Sequence, residues 1–208
     1  MPNDLVLLVA DKNIEHSIAG LLTRPAALGI RVVEGRTFVH PRRDPGCLRE
    51  AQDFLRPFHG NYAHGLVVFD RCGCGREHLS AEALATDVEQ RLSVNGWDQR
   101  AKVVVLDPEL EVWAFADPPR VASCLGWRRN DGDLRRWLER RGLWNRHEAK
   151  PRDPREAFER VLYHVQRPRS SATYRRLAET VDFRGCTDPA FAKFRAVLAG
   201  WFAAGAAP

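Results

Sequence analysis

The chain has no apolar run approaching the ~20 residues that a membrane-spanning helix requires, so no membrane partner is expected. Its opening residues, Met1-Pro2-Asn3-Asp4, carry no basic stretch, so no secretory leader is expected. Cysteine is scarce and odd in number, with five scattered residues, which excludes a disulfide framework and fits a reducing, cytoplasmic setting. No G-x-x-x-x-G-K-[ST] occurs, and Gly73-x-Gly75 is too short to cradle a phosphate. A P-loop NTPase is therefore excluded, and neither ATP held by a P-loop nor NAD is expected as a cofactor. There are no internal repeats and no low-complexity segment.

What is present is an ordinary globular composition, 44% hydrophobic and 28% charged over 208 residues, which fits one domain or one domain with a helical extension. The net charge of +5 is uneven. Residues 120–179 hold 16 Lys+Arg against 8 Asp+Glu, while the rest holds 16 against 19. A basic segment of this kind points to DNA or RNA, or to an acidic protein, as partner; a set of solvated helix faces is the alternative.

Gly65-Leu66-Val67-Val68-Phe69-Asp70 reads as a strand buried on both faces, followed by the glycine-rich turn Cys72-Gly73-Cys74-Gly75. Leu5 to Ala10 is a second buried run of this kind, and Ile30 to Val39 and Lys102 to Leu106 read as two further strands. Helices fill the intervals. Ile14, Ile18, Leu21 and Leu22 form one stripe, Leu48, Ala51 and Leu55 a second, and Leu84, Val88 and Leu92 a third. Asn13, Asp44, Ser80 and Asp107 are the expected N-caps. Four alternations of strand and helix argue a four-stranded, mostly parallel α/β sheet with flanking helices over residues 1–117. After Pro118 the strand runs stop. Residues 118–208 read as a helical extension packed on the sheet as one compact unit, with Asp133, Asp153 and Asp188 opening helices and a fourth helix expected over Ala172 to Thr180.

Three strand runs end in an aspartate: Asp11, Asp70 and Asp107, with Glu109 two residues further on. In a parallel sheet those ends share one edge, where open α/β sheets hold their ligands. Carboxylates gathered there repel one another unless a cation neutralises them, and oxygen ligands of this type suit Mg²⁺ or Mn²⁺. Asp11, Asp70 and Glu109 are the candidate metal ligands, and Asp70 and Glu109 the candidate catalytic pair. Glu111 lies ~200° around a helix from Glu109, so it is expected to pair with an arginine or face a partner. His40 and Arg43 follow the second strand and are candidate binding residues beside the same edge. Cys72, Cys74 and His78 are too tightly spaced for a zinc site, so zinc is not expected. Cys47, near a helix N-terminus beside Arg42 and Arg43, is a candidate low-pKa thiol; a small core residue is the plainer reading.

Over roughly residues 4–116 this layout resembles a Toprim domain. Toprim domains carry a glutamate after the first strand and D-x-D after the third. Here Ala10 stands at the glutamate position with Asp11 beside it, and Cys72 stands at the second acid, which leaves Asp70. The resemblance implies a degenerate acidic site. Four motifs spanning nearly the whole chain resemble those of small bacterial proteins of phage-defence islands, a subunit of the methylation-associated defence system. They are Arg42-Arg43-Asp44-Pro45-Gly46-Cys47, Asp107-Pro108-Glu109-Leu110-Glu111-Val112-Trp113, Lys150-Pro151-Arg152-Asp153-Pro154 and Cys186-Thr187-Asp188-Pro189-Ala190-Phe191. This second resemblance implies an antiviral role beside a DNA methyltransferase and other defence-system proteins, and gives no reaction. Three functions stay open: an effector or interaction subunit with a degenerate acidic site, an active Mg²⁺- or Mn²⁺-dependent nuclease or phosphotransferase, and a non-catalytic DNA-binding module.

Overall fold

The computed structural model describes residues 3–183 and 186–205. Four strands form one all-parallel sheet in the order β2-β1-β3-β4, with β1 at Asn3–Val9, β2 at Gly35–Val39, β3 at Tyr62–Asp70 and β4 at Ala101–Leu106. The two central strands carry the longest apolar runs. Leu5 to Val9 and Gly65 to Phe69 are buried throughout, as a sheet covered on both faces requires. The edge strand β2 is half exposed. It is shorter than the Ile30 to Val39 run suggests. The Arg31 guanidinium is clamped on Asp4 by bonds of 2.7 and 2.6 Å, and the Arg31 N–H donates to the Phe202 carbonyl. Ile30 makes only an isolated antiparallel bridge to Ala203.

Ten helices of the described residues follow in chain order. They are α1 Lys12–Leu22, α2 Pro25–Leu28, α3 Arg43–Leu55, α4 Ala81–Leu92, α5 Glu111–Ala114, α6 Pro118–Leu125, α7 Leu134–Glu139, α8 Pro154–His164, α9 Ser171–Thr180 and α10 Pro189–Phe202. Ser80, Asp133, Asp153 and Asp188 cap α4, α7, α8 and α10 through their side chains. Asp11, and not Asn13, caps α1, accepting from the Asn13 and Ile14 N–H groups at 2.8 and 2.9 Å. Neither Asp44 nor Asp107 is an N-cap. α3 starts two residues earlier than expected, with Arg42 at the cap, and the chain from Asp107 to Leu110 runs as a loop before α5. The Asp107–Pro108 peptide is cis.

The helical half lies against the sheet half. α9 packs along α1, where an added Cβ on Gly20 would come within 2.7 Å of the Arg175 carbonyl. α10 lies on β4 and buries Phe191, Phe194, Leu198 and Phe202, with the first two against the Trp113 ring at 5.1 and 5.6 Å. At ~1.5–3 kcal/mol for each fully buried side chain, that stripe contributes about 6–12 kcal/mol gross. This is of the order of a whole domain's net stability, so the sheet depends on α10. Trp97, Trp113, Trp137 and Trp144 are all buried, whereas Trp201 is half-buried and stacks on His64 at 4.4 Å.

Candidate functional site at the carboxyl edge of the sheet

Parallel pairing brings the carboxyl ends of β1, β2, β3 and β4 to one edge. Asp11 follows β1, Asp44 follows β2 in the first turn of α3, Asp70 ends β3, and Glu109 and Glu111 follow β4. The backbone stitches these ends together. The His40 N–H donates to the Val9 carbonyl, Ala10 to Val68, and Arg71 to Leu106. Asp70 sits at the centre of the acids. Its N–H donates to Asp44 Oδ1 at 2.8 Å, and its own Oδ1 accepts from the Leu110 N–H at 3.0 Å.

Charge accumulates here. Burial pushes the Asp70 carboxyl well above the usual carboxylate range, and the charges of Asp44, Glu111, Asp11 and Glu109 push it further. Burial also raises Asp44, although the Asp70 N–H opposes it. Glu109, 6% exposed, is pushed up to about 7 by burial and by Glu111. Arg155 pulls the other way, since its N–H donates to Glu109 Oε1 at 3.1 Å, but its guanidinium stands 3.9 Å from Oε2. Near neutral pH, Glu109 is thus divided between its two forms, and Asp70 gives up its proton less readily than an ordinary carboxyl.

Glu111 is satisfied differently. It is 1% exposed, and its Oε1 accepts from Arg169 Nη2 at 2.6 Å and from the Tyr174 hydroxyl at 2.5 Å. Burial and the Glu111 charge raise the Tyr174 pKa, so the phenol stays a donor. Arg169 in turn reaches Glu159 at 3.3 Å. A buried carboxylate of this kind is tolerated only with such partners.

The remaining candidates fall into place around the edge. His40 is buried against α3. An added Cβ on Gly46 would lie 2.0 Å from its Nδ1, so only glycine at 46 admits the ring. Its Nδ1 accepts from the Arg42 N–H at 3.1 Å, and its Nε2 faces Glu50 at 3.6 Å. Burial and the neighbouring Arg42 lower its pKa, so the ring is neutral. Arg43 is exposed, and its guanidinium makes no hydrogen bond or ion pair among the described residues. Asp107 is exposed and bound to Arg71 at 2.8 Å. Cys47 is not a low-pKa thiol: burial, then the charges of Asp44 and Asp11, push it well up. Cys74 is buried and accepts from the Arg76 N–H, while Cys72 and His78 are exposed. Gly73 and Gly75, both at φ 84°, form the turn that carries them.

The sequence reading missed Asp44, taken for a cap, although it follows a strand as Asp70 does. It also missed Arg155, Arg169 and Tyr174. Nothing local marks these, for Arg169 and Tyr174 lie 58 and 63 residues from Glu111.

The donor chemistry of this edge is all-oxygen and overloaded with negative charge, which is what a hard divalent cation requires. Among the described residues, no three His, Cys, Asp or Glu side chains are already arranged to hold an ion. Asp11, Asp44, Asp70 and Glu109 each spend an oxygen on a backbone N–H. The carboxylate oxygens are gathered at one edge but are not arranged around a common point. No helix of the described residues is long and apolar enough to cross a membrane. No family model matches the chain, no curated protein matches it, and no solved structure matches its fold.

Proposed function

We propose that the chain is a Toprim-like subunit of a bacterial antiviral defence system, with a degenerate sheet-edge acidic site that responds to Mg²⁺ or Mn²⁺. The observation that carries the site is the charge load on Asp70, where four other carboxylates act on one buried group. Clustered, strongly shifted carboxyls mark functional sites more often than structural ones. A cation there would neutralise charge that the folded chain otherwise meets by taking up protons. Asp11, Asp70 and Glu109 would hold it, with Asp44 beside them. His40 and Glu111 stay structural posts and Arg43 an open cation at the rim. Bound, such an ion would polarise a phosphoryl oxygen.

The defence assignment is supported by the motifs quoted above. Asp107-Pro108-Glu109-Leu110-Glu111-Val112-Trp113 delivers two of the site acids and the Trp113 that receives α10. Asp153-Pro154 and Asp188-Pro189 supply the caps of α8 and α10. In this reading the chain works beside other defence-system proteins in the bacterial cytoplasm. A second reading, a nuclease or phosphotransferase, is favoured by Glu109, whose pKa of about 7 suits a group that exchanges a proton near neutral pH.

Calorimetric titration with Mn²⁺ and Mg²⁺ of the wild type and of Asp70→Asn tests the site. Saturable binding that the variant loses is the expected result. No saturable binding in the wild type refutes it. Metal-dependent nicking of plasmid DNA, lost in Glu109→Gln, would select the enzymatic reading. Metal binding without turnover would select the interaction subunit. Restriction of phage plaques by the intact defence locus, relieved by Asp70→Asn, is expected if the site serves defence.

A further inference from the structure

Away from the acidic edge, the helical half holds a second feature. A groove of about 860 Å³ opens between α7 and the C-terminal end of α8, lined by Trp137, Arg141, Arg160, Tyr163, His164 and Arg167 among others. Its charge is one-sided: three guanidiniums face one carboxylate, Glu156, which is shared with Arg160 at 3.6 Å. Among the described residues neither Arg141 nor Arg167 has a carboxylate partner. The Arg141 guanidinium lies 3.8 Å over the Trp137 ring. Arg167 packs flat on Gly126, where an added Cβ would sit 2.9 Å from Nη2, and donates to the Cys124 carbonyl at 3.4 Å. Both cations are therefore held in place by the fold while their charge stays unanswered.

The groove's aromatic surface is arranged for contact. Tyr163 is 83% exposed and has no ring partner among the described residues. Behind it, Trp127, Trp137 and His164 form a closed set with ring separations of 5.1, 4.9 and 5.0 Å. Trp127 Nε1 donates to the Gly132 carbonyl, and His164 Nε2 meets Asp131 at 2.9 Å. The Trp127, Trp137 and His164 rings are packed on one another, whereas the Tyr163 ring stands in solvent. Across α7 the basic surface continues into a second hollow of about 810 Å³ that includes Arg136, Arg140 and Arg146. There Asp133 is engaged in capping α7 and Glu139 pairs with Arg135.

Guanidiniums offer paired donors that match phosphate, and exposed aromatic rings beside them offer faces on which bases stack. An acidic peptide would use the charges and leave Tyr163 idle. A duplex keeps its bases stacked inside and could not reach that ring. We propose that this groove binds single-stranded nucleic acid, with phosphates on Arg160 and Arg167 and a base on Tyr163. The groove is separate from the acidic edge and needs no metal.

Fluorescence anisotropy of a labelled oligo(dT) of about 20 nucleotides, titrated with the full chain in EDTA over about 50 to 200 mM salt, tests the proposal. EDTA makes the outcome independent of any cation site. The wild type is expected to bind with affinity falling steeply with salt. Replacing two phosphate contacts in Arg160→Gln/Arg167→Gln is expected to flatten the log–log salt slope by about 1.4, at ~0.7 per single-strand phosphate. Tyr163→Ala is expected to weaken binding about tenfold with the slope unchanged, as loss of one stacked base does. Tyr163 and Arg160 are exposed, so Tyr163→Ala is expected to keep the wild-type melting temperature, and thermal melts show whether losing the Arg167 contacts with Gly126 and Cys124 costs the double variant its fold. No binding at low salt overturns the proposal. So does a duplex bound as well as the single strand with Tyr163→Ala silent, or polyglutamate displacing the oligonucleotide equally well from wild type and Tyr163→Ala.

Discussion

Substituting Glu109→Gln should stabilise the protein, and only at high pH. Glu109 is buried, and its carboxyl is raised from an ordinary 4.5 to about 7. A folded state with the higher pKa holds its proton more tightly than the unfolded chain. The stability this confers is complete below about pH 4.5 and is lost as pH rises through about 7. Well above that, at about pH 9, the ionised side chain costs the fold about 3 kcal/mol. Arg155 is the opposing influence. Its guanidinium is half exposed and 3.9 Å away, so the pair is worth under about 1 kcal/mol and does not reverse the sign. Glutamine keeps an Oε1 to accept the Arg155 N–H and removes the charge. The variant should therefore melt about 6–12 °C above wild type at about pH 9, at ~2–4 °C per kcal/mol for a chain of this length, and within about 2 °C of it at about pH 4.5. Thermal melts followed by circular dichroism across that range measure both. A Glu109→Gln protein that melts at or below wild type at high pH would refute the reasoning, because it would mean that Arg155 outweighs burial.

Two further substitutions probe the same edge. Tyr174→Phe removes one donor from the buried Glu111 carboxylate and should lower stability by about 1.5–3 kcal/mol, while Arg169→Met, which strips its cation, should approach the ~3–5 kcal/mol of a broken buried pair. Urea midpoints read both. Cys72→Asp places a second acid beside the first. The Cys72 thiol is already raised by burial and then by the charges of Glu109 and Asp70, so an aspartate there adds to the same load. It should lower the melting temperature at neutral pH by several degrees, ~2–4 °C per kcal/mol, and Mn²⁺ should restore more of that loss than it gives the wild type; equal Mn²⁺ shifts in the two proteins would count against a cation at this edge.

The sheet was legible because its strands are unbroken apolar runs ending at an acid or a turn. Leu5 to Val9, Gly65 to Phe69 and Val103 to Leu106 have no polar face, as strands covered on both sides require. Ile30 to Val33 has the same local character and yet is no strand. The difference is tertiary: Asp4 takes the Arg31 guanidinium and Phe202, at the end of α10, takes its N–H. Neither partner is visible within any window around Ile30. The helical half was legible in outline for the complementary reason, since Phe158, Val161 and Leu162, or Phe191, Phe194 and Leu198, repeat at helical spacing whatever they face.

The site was half legible, and the five Asp-Pro dipeptides show why. Asp117-Pro118, Asp153-Pro154 and Asp188-Pro189 cap helices, as an aspartate before a first-turn proline ordinarily does. Asp44-Pro45 and Asp107-Pro108 do not, although their local sequence is indistinguishable. What separates the pairs is the competition each carboxylate meets in three dimensions. Asp44 is at the end of β2, level with the end of β3, where the Asp70 N–H has no strand partner and lies 2.8 Å away. Asp107 lies level with Arg71, whose guanidinium outbids a neutral backbone donor because a charge-assisted bond is roughly twice as strong. Both competitors are placed by the parallel register of β3 with β4 and by the turn that follows β3, neither of which any dipeptide encodes. The same register carries the acids into range of Asp70. A carboxylate diverted from capping and a carboxylate drawn into the acidic edge are thus one event seen from two ends of the chain, and Asp44 is where they coincide.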